Sequence, residues 1–504
     1  MNVLPKLRSL ESILQPINRL PKDVFILIPR FLTDKRGEYN HFPMNKPLIT
    51  MTHVCRSWRN VLLSTPSLWT QLDFSTSESN QAIGFLDRSS KQPLDIYQLF
   101  EIEDHVEPFL STTLRNLHRL QRLEIVSFLD YLERLLAQFT RSAPELKHLG
   151  VANDPNTTDR DMELPSTIFG GRLPKLTSLS LVWIHTNLRH FNLPSLTHLN
   201  FVTGTKISIR DLTSFFERSP SLKSIRLCLD YTSHLPIPPP RKRVRLAVLE
   251  ELRLDQTASA SGLLDHLILP NCAEMILKGR FTGEEFDQYG SPAARIHPSS
   301  IDHLPIMRGI TKAVATPNSC IFSGPNGTLR FWCFEGTRGD FDAEFFTSFS
   351  PISVTEIREL VVGARAESRF STRRRPWKQT VARVRGAFTV LTKVEDLTIV
   401  TCDTAPFFAA LGAAVDDAVL LPRLRRFMIY VGCGDLDVSA LVQCARERFG
   451  DSRPLGEVAI VFENGPGAEV IRKMELLREF VEELDYHIGE TPGLDWQDND
   501  GEWW

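Results

Sequence analysis

Residues 176–201 read LTSLSLVWIHTNLRHFNLPSLTHLNF. The segment opens and closes on one pattern, L-x-x-L-x-L, as LTSLSL (176–181) and LTHLNF (196–201). The apolar residues at the fourth and sixth positions alternate with polar ones, the period of a strand and not of a helix. Clean copies recur on both sides as LQRLEI (120–125), LKHLGV (146–151), LKSIRL (222–227) and LEELRL (249–254). Weaker ones are CAEMIL (272–277), IRELVV (357–362), VEDLTI (394–399), LRRFMI (424–429) and LGEVAI (455–460). KQPLDI (91–96) and NGTLRF (326–331) keep only the last two positions. Several copies follow a helix-like or proline-punctuated piece, such as DLTSFFERSPS (211–221) or GRLPK (171–175). Each unit therefore reads as a strand plus a returning segment. No such unit can bury its own apolar face, so the units must stack.

Clean copies begin roughly 20 to 30 residues apart, a spacing that resembles the leucine-rich repeat. The Asn expected after each strand is mostly missing, with Gly204 and Asp230 in that place, so the repeats are irregular. The fold expected is α+β, an α/β solenoid: a short N-terminal helical domain, then an irregular leucine-rich-repeat horseshoe over 75–465. A helix over 466–489, with Val470, Met474, Leu477, Val481 and Leu484 on one face, would cap its end. Residues 490–504 form an acidic tail.

Ahead of the repeats, residues 1–17 carry an amphipathic spacing at Leu7, Leu10, Leu14 and Ile17, and 18–74 read as a helical domain. In LPKDVFILIPRFL (20–32), Leu20, Val24, Ile28 and Leu32 recur every four residues, with Phe25 and Phe31 beside them. Pro21 and Asp23 suit the start of that helix, whereas Pro29 should kink or end it. In MTHVCRSWRNVLLSTPSLWTQLDF (51–74), the spacing of Met51, Val54, Cys55, Trp58, Val61 and Leu62 predicts one helix, stopped by Pro66. His53 and Cys55 are two residues apart and would point in different directions on it, so they are not a metal pair. Helices this short cannot bury so much apolar surface among themselves; they dock on the rest of the chain or on another protein.

This segment resembles an F-box of the fungal type. Leu20, Pro21, Asp23, Val24, Ile28 and Leu32 match the first half of that pattern. Val54, Cys55, Arg56, Trp58, Pro66, Leu68 and Trp69 match the second, and FLDRSSKQPLDI (85–96) resembles the segment that follows many fungal F-boxes. The resemblance implies docking on a Skp-type adaptor protein and, through it, on a cullin–RING ubiquitin ligase, with the repeats capturing a protein substrate. The residues it assigns to the adaptor are Leu20, Pro21, Val24, Ile28, Leu32, Val54, Trp58 and Trp69. The alternative is a leucine-rich-repeat scaffold that binds a protein partner outside any ligase.

Three stretches break the repeat: the proline-rich and then basic HLPIPPPRKRVR (234–245), residues 278–325, read as a long loop, and the basic 362–385. In the last, Arg373, Arg374, Arg375, Trp377 and Lys378 bring cations beside an aromatic ring, a combination suited to an acidic partner. The 504 residues are 42% hydrophobic and 24% charged with a formal net charge of −3, which gives no global pull toward nucleic acid or an anionic membrane. No apolar run reaches the roughly 18 residues of a membrane span. The 8 cysteines are scattered, with no C-x-x-C pair, as expected for a reducing compartment, cytoplasm or nucleus. Zincin, nucleophile-elbow, phosphate-loop and dinucleotide signatures are all missing. The expectation is a non-enzymatic binding protein with no cofactor and no metal.

Overall fold

The repeated leucines pair with one another across parallel strands. Ile96, Leu123, Leu149, Leu179 and Leu199 stand opposite each other in turn, strand to strand, and all are buried. Two positions on, Ile125, Val151, Leu181 and Phe201 form the next buried rung. A pattern whose strand face is apolar at every second residue buries that face only if neighbours hold one register, because a slip of one residue would turn the leucines to the other side.

The computed structural model describes residues 16–33, 46–74, 79–99, 106–127, 129–153, 162–203, 207–229, 242–255, 260–280, 300–316, 319–334, 354–363, 377–400, 404–412, 419–431, 436–449, 455–463 and 465–489. They fall into two units, one reaching Gly204 and the other running from Thr205 to Gln497. Both are mixed α/β, built on mostly parallel sheets.

The first unit begins with helices α1 (Lys22–Thr33), α2 (Lys46–Thr52) and α3 (Arg56–Leu63). Its sheet follows: β1 (Gln71–Asp73), β2 (Leu94–Leu99), β3 (Leu120–Ser127), β4 (His148–Asn153), then β5 (Met162–Glu163), β6 (Ser178–Val182), β7 (Ile184–His185) and β8 (His198–Thr203). The spatial order is β1-β2-β3-β4-β6-β8, all parallel, with β5 and β7 pairing apart. The returns include α4 (Ser79–Ser89), α5 (Val106–Arg115) and α6 (Leu129–Leu136).

The second unit carries α7 (Ile209–Arg218), capped by Ser208 Oγ accepting from Asp211 N at 3.1 Å, with Leu212, Phe215 and Phe216 on its buried face. Its strands are β9 (Ser224–Leu229), β10 (Val244–Arg245), β11 (Glu251–Asp255), β12 (Leu267–Ile268), β13 (Glu274–Arg280), β14 (Lys312–Ala315), β15 (Ser319–Gly324), β16 (Gly327–Phe334), β17 (Glu359–Gly363), β18 (Asp396–Val400), β19 (Arg426–Val431), β20 (Leu455–Phe462) and β21 (Val481–Ile488). The returns include α8 (Ala260–Asp265), α9 (Trp377–Val390), α10 (Ala405–Gly412), α11 (Val438–Phe449) and α12 (Ala468–Met474). The main order is β9-β11-β13-β16-β15-β14-β17-β18-β19-β20-β21. It is parallel except where β15 runs against both β14 and β16.

Two expectations are corrected here. The long loop over 278–325 holds the end of β13, all of β14 and β15, and a 3-10 turn, Pro305–Met307; residues 281–299 lie outside the described residues. Gly327 makes the β15–β16 turn possible: its φ is +133°, and a Cβ there would collide with the Ala273 carbonyl oxygen. The helix over 466–489 is in fact α12, a 3-10 turn at Glu475–Glu479, and β21. Met474, Leu477 and Val481 are buried as the helical spacing requires, but from Val481 onward the segment pairs with β20, and from Glu483 a two-residue alternation sets in.

Candidate functional site

The N-terminal helices have an inner and an outer apolar face. Helix α1 begins at Lys22, with the Pro21 carbonyl accepting from Phe25 N at 2.9 Å and Asp23 in the first turn, where the helix dipole favours an acid. Phe25 and Pro29 are its buried residues, and Phe25 meets the Trp58 ring edge-on at 4.8 Å. The helix runs through Pro29 to Thr33, so the proline does not end it. Proline removes one backbone donor, and here its ring is packed on the buried side. Beyond it, Thr33 Oγ1 donates to the Pro29 carbonyl at 2.9 Å.

The single helix expected through 51–62 is two. Helix α2 ends at Thr52, His53 and Val54 turn, and Cys55, with φ −157° and ψ 169°, is the N-cap of α3, its Sγ accepting from Trp58 N at 3.5 Å. Arg59 Nε donates to the Thr52 carbonyl at 2.8 Å, satisfying an acceptor at the end of α2. Arg30 to Ser67 Oγ at 3.0 Å and Lys22 to Ser64 Oγ at 3.4 Å tie α1 to the segment closing α3. Pro66 then opens a 3-10 turn, Pro66–Leu68.

The outer face is apolar and uncovered. Leu20 is 38% exposed, Val24 45%, Leu27 57% and Phe31 83%. These positions recur at helical spacing as a single stripe. Leu32, Val54 and Leu63 are exposed as well. Of the residues assigned to a partner, Leu20, Pro21, Val24, Leu32 and Val54 thus face outward, while Ile28 and Trp58 are half-buried. Trp69 is buried: its Nε1–H donates to the Leu62 carbonyl at 2.9 Å, its ring meets Phe85 of α4 at 4.7 Å, and the Arg88 guanidinium lies over it at 4.9 Å. It joins the helices to the sheet. Sequence reading missed Leu27 and set Phe31 beside the face; counting four, seven and eleven residues on from Leu20 finds both.

The second set of candidates is only partly described. Arg373, Arg374 and Arg375 lie outside the described residues, and Trp377 and Lys378 are the first residues of α9. On the sheet of the first unit, facing away from the leucines, Glu124 accepts from Arg122 at 2.7 Å and lies 3.0 Å from His148 Nε2. Burial raises the Glu124 pKa, but His148 and Arg122 outweigh it and hold the carboxyl below its ordinary range. In the second unit Asp255 is buried, 2.9 Å from Arg253 and 3.5 Å from Arg226; burial raises its pKa despite those cations.

Among the described residues no group of three or more His, Cys, Asp or Glu could hold a metal ion, and no helix is long and apolar enough to cross a membrane. The chain matches no protein-family model, and no curated protein is significantly similar to it.

Proposed function

We propose that this protein is a substrate-recognition adaptor of a Skp-cullin-F-box type ubiquitin ligase: the N-terminal helices dock on a Skp-type adaptor and the leucine-rich-repeat-like units capture a protein substrate. The observation that carries this reading is the outer stripe of α1. Val24, Leu27 and Phe31 are apolar, aligned and exposed on a helix whose other face is already packed against Trp58, and exposed Leu20, two residues ahead of that helix, continues the same spacing. Apolar stripes left in water in this way mark protein interfaces. Nothing in this role is chemistry on bonds. Its effect would be to hold a substrate lysine near a ubiquitin-charged enzyme, which raises effective concentration.

The test is calorimetric titration of the full-length chain with a purified Skp-type adaptor, alongside the Val24→Asp/Phe31→Asp variant. Binding by the native protein and its loss in a variant with an unchanged melting temperature support the adaptor role. No binding by the native protein at tens of micromolar refutes it and leaves the scaffold alternative.

A further inference from the structure

We propose that the open edge of β21 docks an extended segment of a partner protein in which basic and apolar residues alternate, added to the sheet as one more strand. The proposal takes from the reading above only that the second unit captures a protein.

Among the described residues β21 pairs with β20 on one side and with nothing on the other. Such an edge presents backbone donors and acceptors to any chain able to match its side chains. Successive residues of a strand point to opposite faces, so the edge has two distinct rows. Glu483, Asp485 and His487 lie on the face away from the leucines. Leu484, Tyr486 and Ile488 continue the apolar rungs Val458, Ile460 and Phe462 of β20.

Both rows are incomplete. Ile488 is 67% exposed and Leu484 and Tyr486 are half-buried, whereas Val458, Ile460 and Phe462 are buried. One further strand would cover them as β21 covers β20. On the other face the Arg426 guanidinium of β19 is shared by Glu457 at 2.8 Å and Asp396 at 3.5 Å. Glu483 has no Lys or Arg partner among the described residues, and Asp485 meets His487 Nδ1 at 3.3 Å.

Charge selects the occupant. A second copy pairing edge to edge would set acidic strand against acidic strand, which is unfavourable. The sequence that follows, with Glu490, Asp495, Asp498, Asp500 and Glu502 and no Lys or Arg, has the same sign. A segment with Lys or Arg at every second position and Val, Ile or an aromatic residue between them complements both rows at once.

The test uses the full-length chain and fluorescent eight-residue peptides: alternating Lys and Val, the same residues in two blocks, and alternating Glu and Val. Anisotropy should report binding of the first, weakened by salt, with slowed hydrogen exchange over 481–488. The Glu483→Lys/Asp485→Lys variant should lose about tenfold in affinity for the Lys–Val peptide and gain affinity for Glu–Val. The milder Glu483→Gln/Asp485→Asn variant, chosen to fold where the reversal does not, should lose several-fold. Equal affinity of native protein and both variants overturns the proposal. So do equal binding of the block peptide, unchanged exchange over 481–488, or no binding at about 1 mM. None of these changes touches Leu20, Val24, Leu27 or Phe31, so adaptor binding by the same preparations is scored separately.

Discussion

Replacing Trp69 by Ala should unfold the junction between the N-terminal helices and the first strands. The side chain is 2% exposed, donates to the Leu62 carbonyl at 2.9 Å and packs on Phe85 at 4.7 Å with Arg88 above it at 4.9 Å. Truncating a buried Trp costs about 3–5 kcal/mol. Domains of this kind are stable by about 5–15 kcal/mol, so the loss is a large share of the whole. With a urea dependence of about 1–3 kcal/mol per molar, the midpoint of the first transition should fall by about 1–5 M. Circular dichroism of the full-length chain gives the midpoint. Hydrogen exchange in Arg56–Leu63 and Ser79–Ser89 shows whether the loosening is where Trp69 sits. Trp69→Phe keeps a ring against Phe85 but gives up the N–H and most of the contact with Arg88, so it should cost about 1–2 kcal/mol. A midpoint within about 0.3 M of native for Trp69→Ala would refute the reasoning, because a side chain so placed cannot be dispensable if it holds the helices.

Phe31→Asp should leave that midpoint unchanged, since the ring is 83% exposed, while lowering adaptor affinity by about tenfold or more in calorimetry. Glu124 has a folded pKa below its ordinary 4.5; its contribution to stability is therefore present above about pH 4.5 and lost as pH falls through the folded value. Glu124→Gln should flatten the acid limb of a stability–pH profile over that window. Burial pushes the thiols of Cys272 and Cys444 up to about 12, so iodoacetamide at pH 8 should label the half-buried Cys55 well before either, read by peptide mass spectrometry. Gly327→Ala should cost more than about 2 kcal/mol and raise exchange in β13 and β16, because its Cβ has no room beside Ala273.

What the sequence made legible was whatever a single period governs. Leu179 and Leu199 sit in like positions of two copies, and in the fold they face each other. Even the weak copy NGTLRF marks a strand, with Leu329 opposite Met275. Reading failed where two periods compete. Met474, Leu477, Val481 and Leu484 fit a helix, yet Glu483, Asp485 and His487 alternating with Leu484, Tyr486 and Ile488 fit a strand, and pairing with β20 decides for the strand. At Thr52–Cys55 the apolar spacing runs on unbroken while the backbone does not; a thiol acting as N-cap is a weak signal beside Ser or Asp. At the candidate site the apolar residues of 20–32 were legible, but not which of them the chain itself covers. Phe25 and Phe31 are the same residue type six positions apart; contact with Trp58 buries one, and the other stays in water.

The reversal at β14–β16 bears on the order in which the second unit acquires structure. Where each strand pairs with the one before it, order can spread along the chain one strand at a time. That front halts after β13, because the strand that joins β13 is β16, whereas β14 joins β17. To pass, the chain must close the stretch from Arg280 to Gly327, and the entropy of closing a loop has to be lost before the new contacts return anything. The antiparallel meander of β14, β15 and β16 has short connections and can form by itself first. It then acts as a splint seated on two arrays, one on either side. The rate-limiting step for this unit is therefore expected at the seating of β16 on β13, and substitutions there should slow refolding more than substitutions of equal cost in β18 or β19.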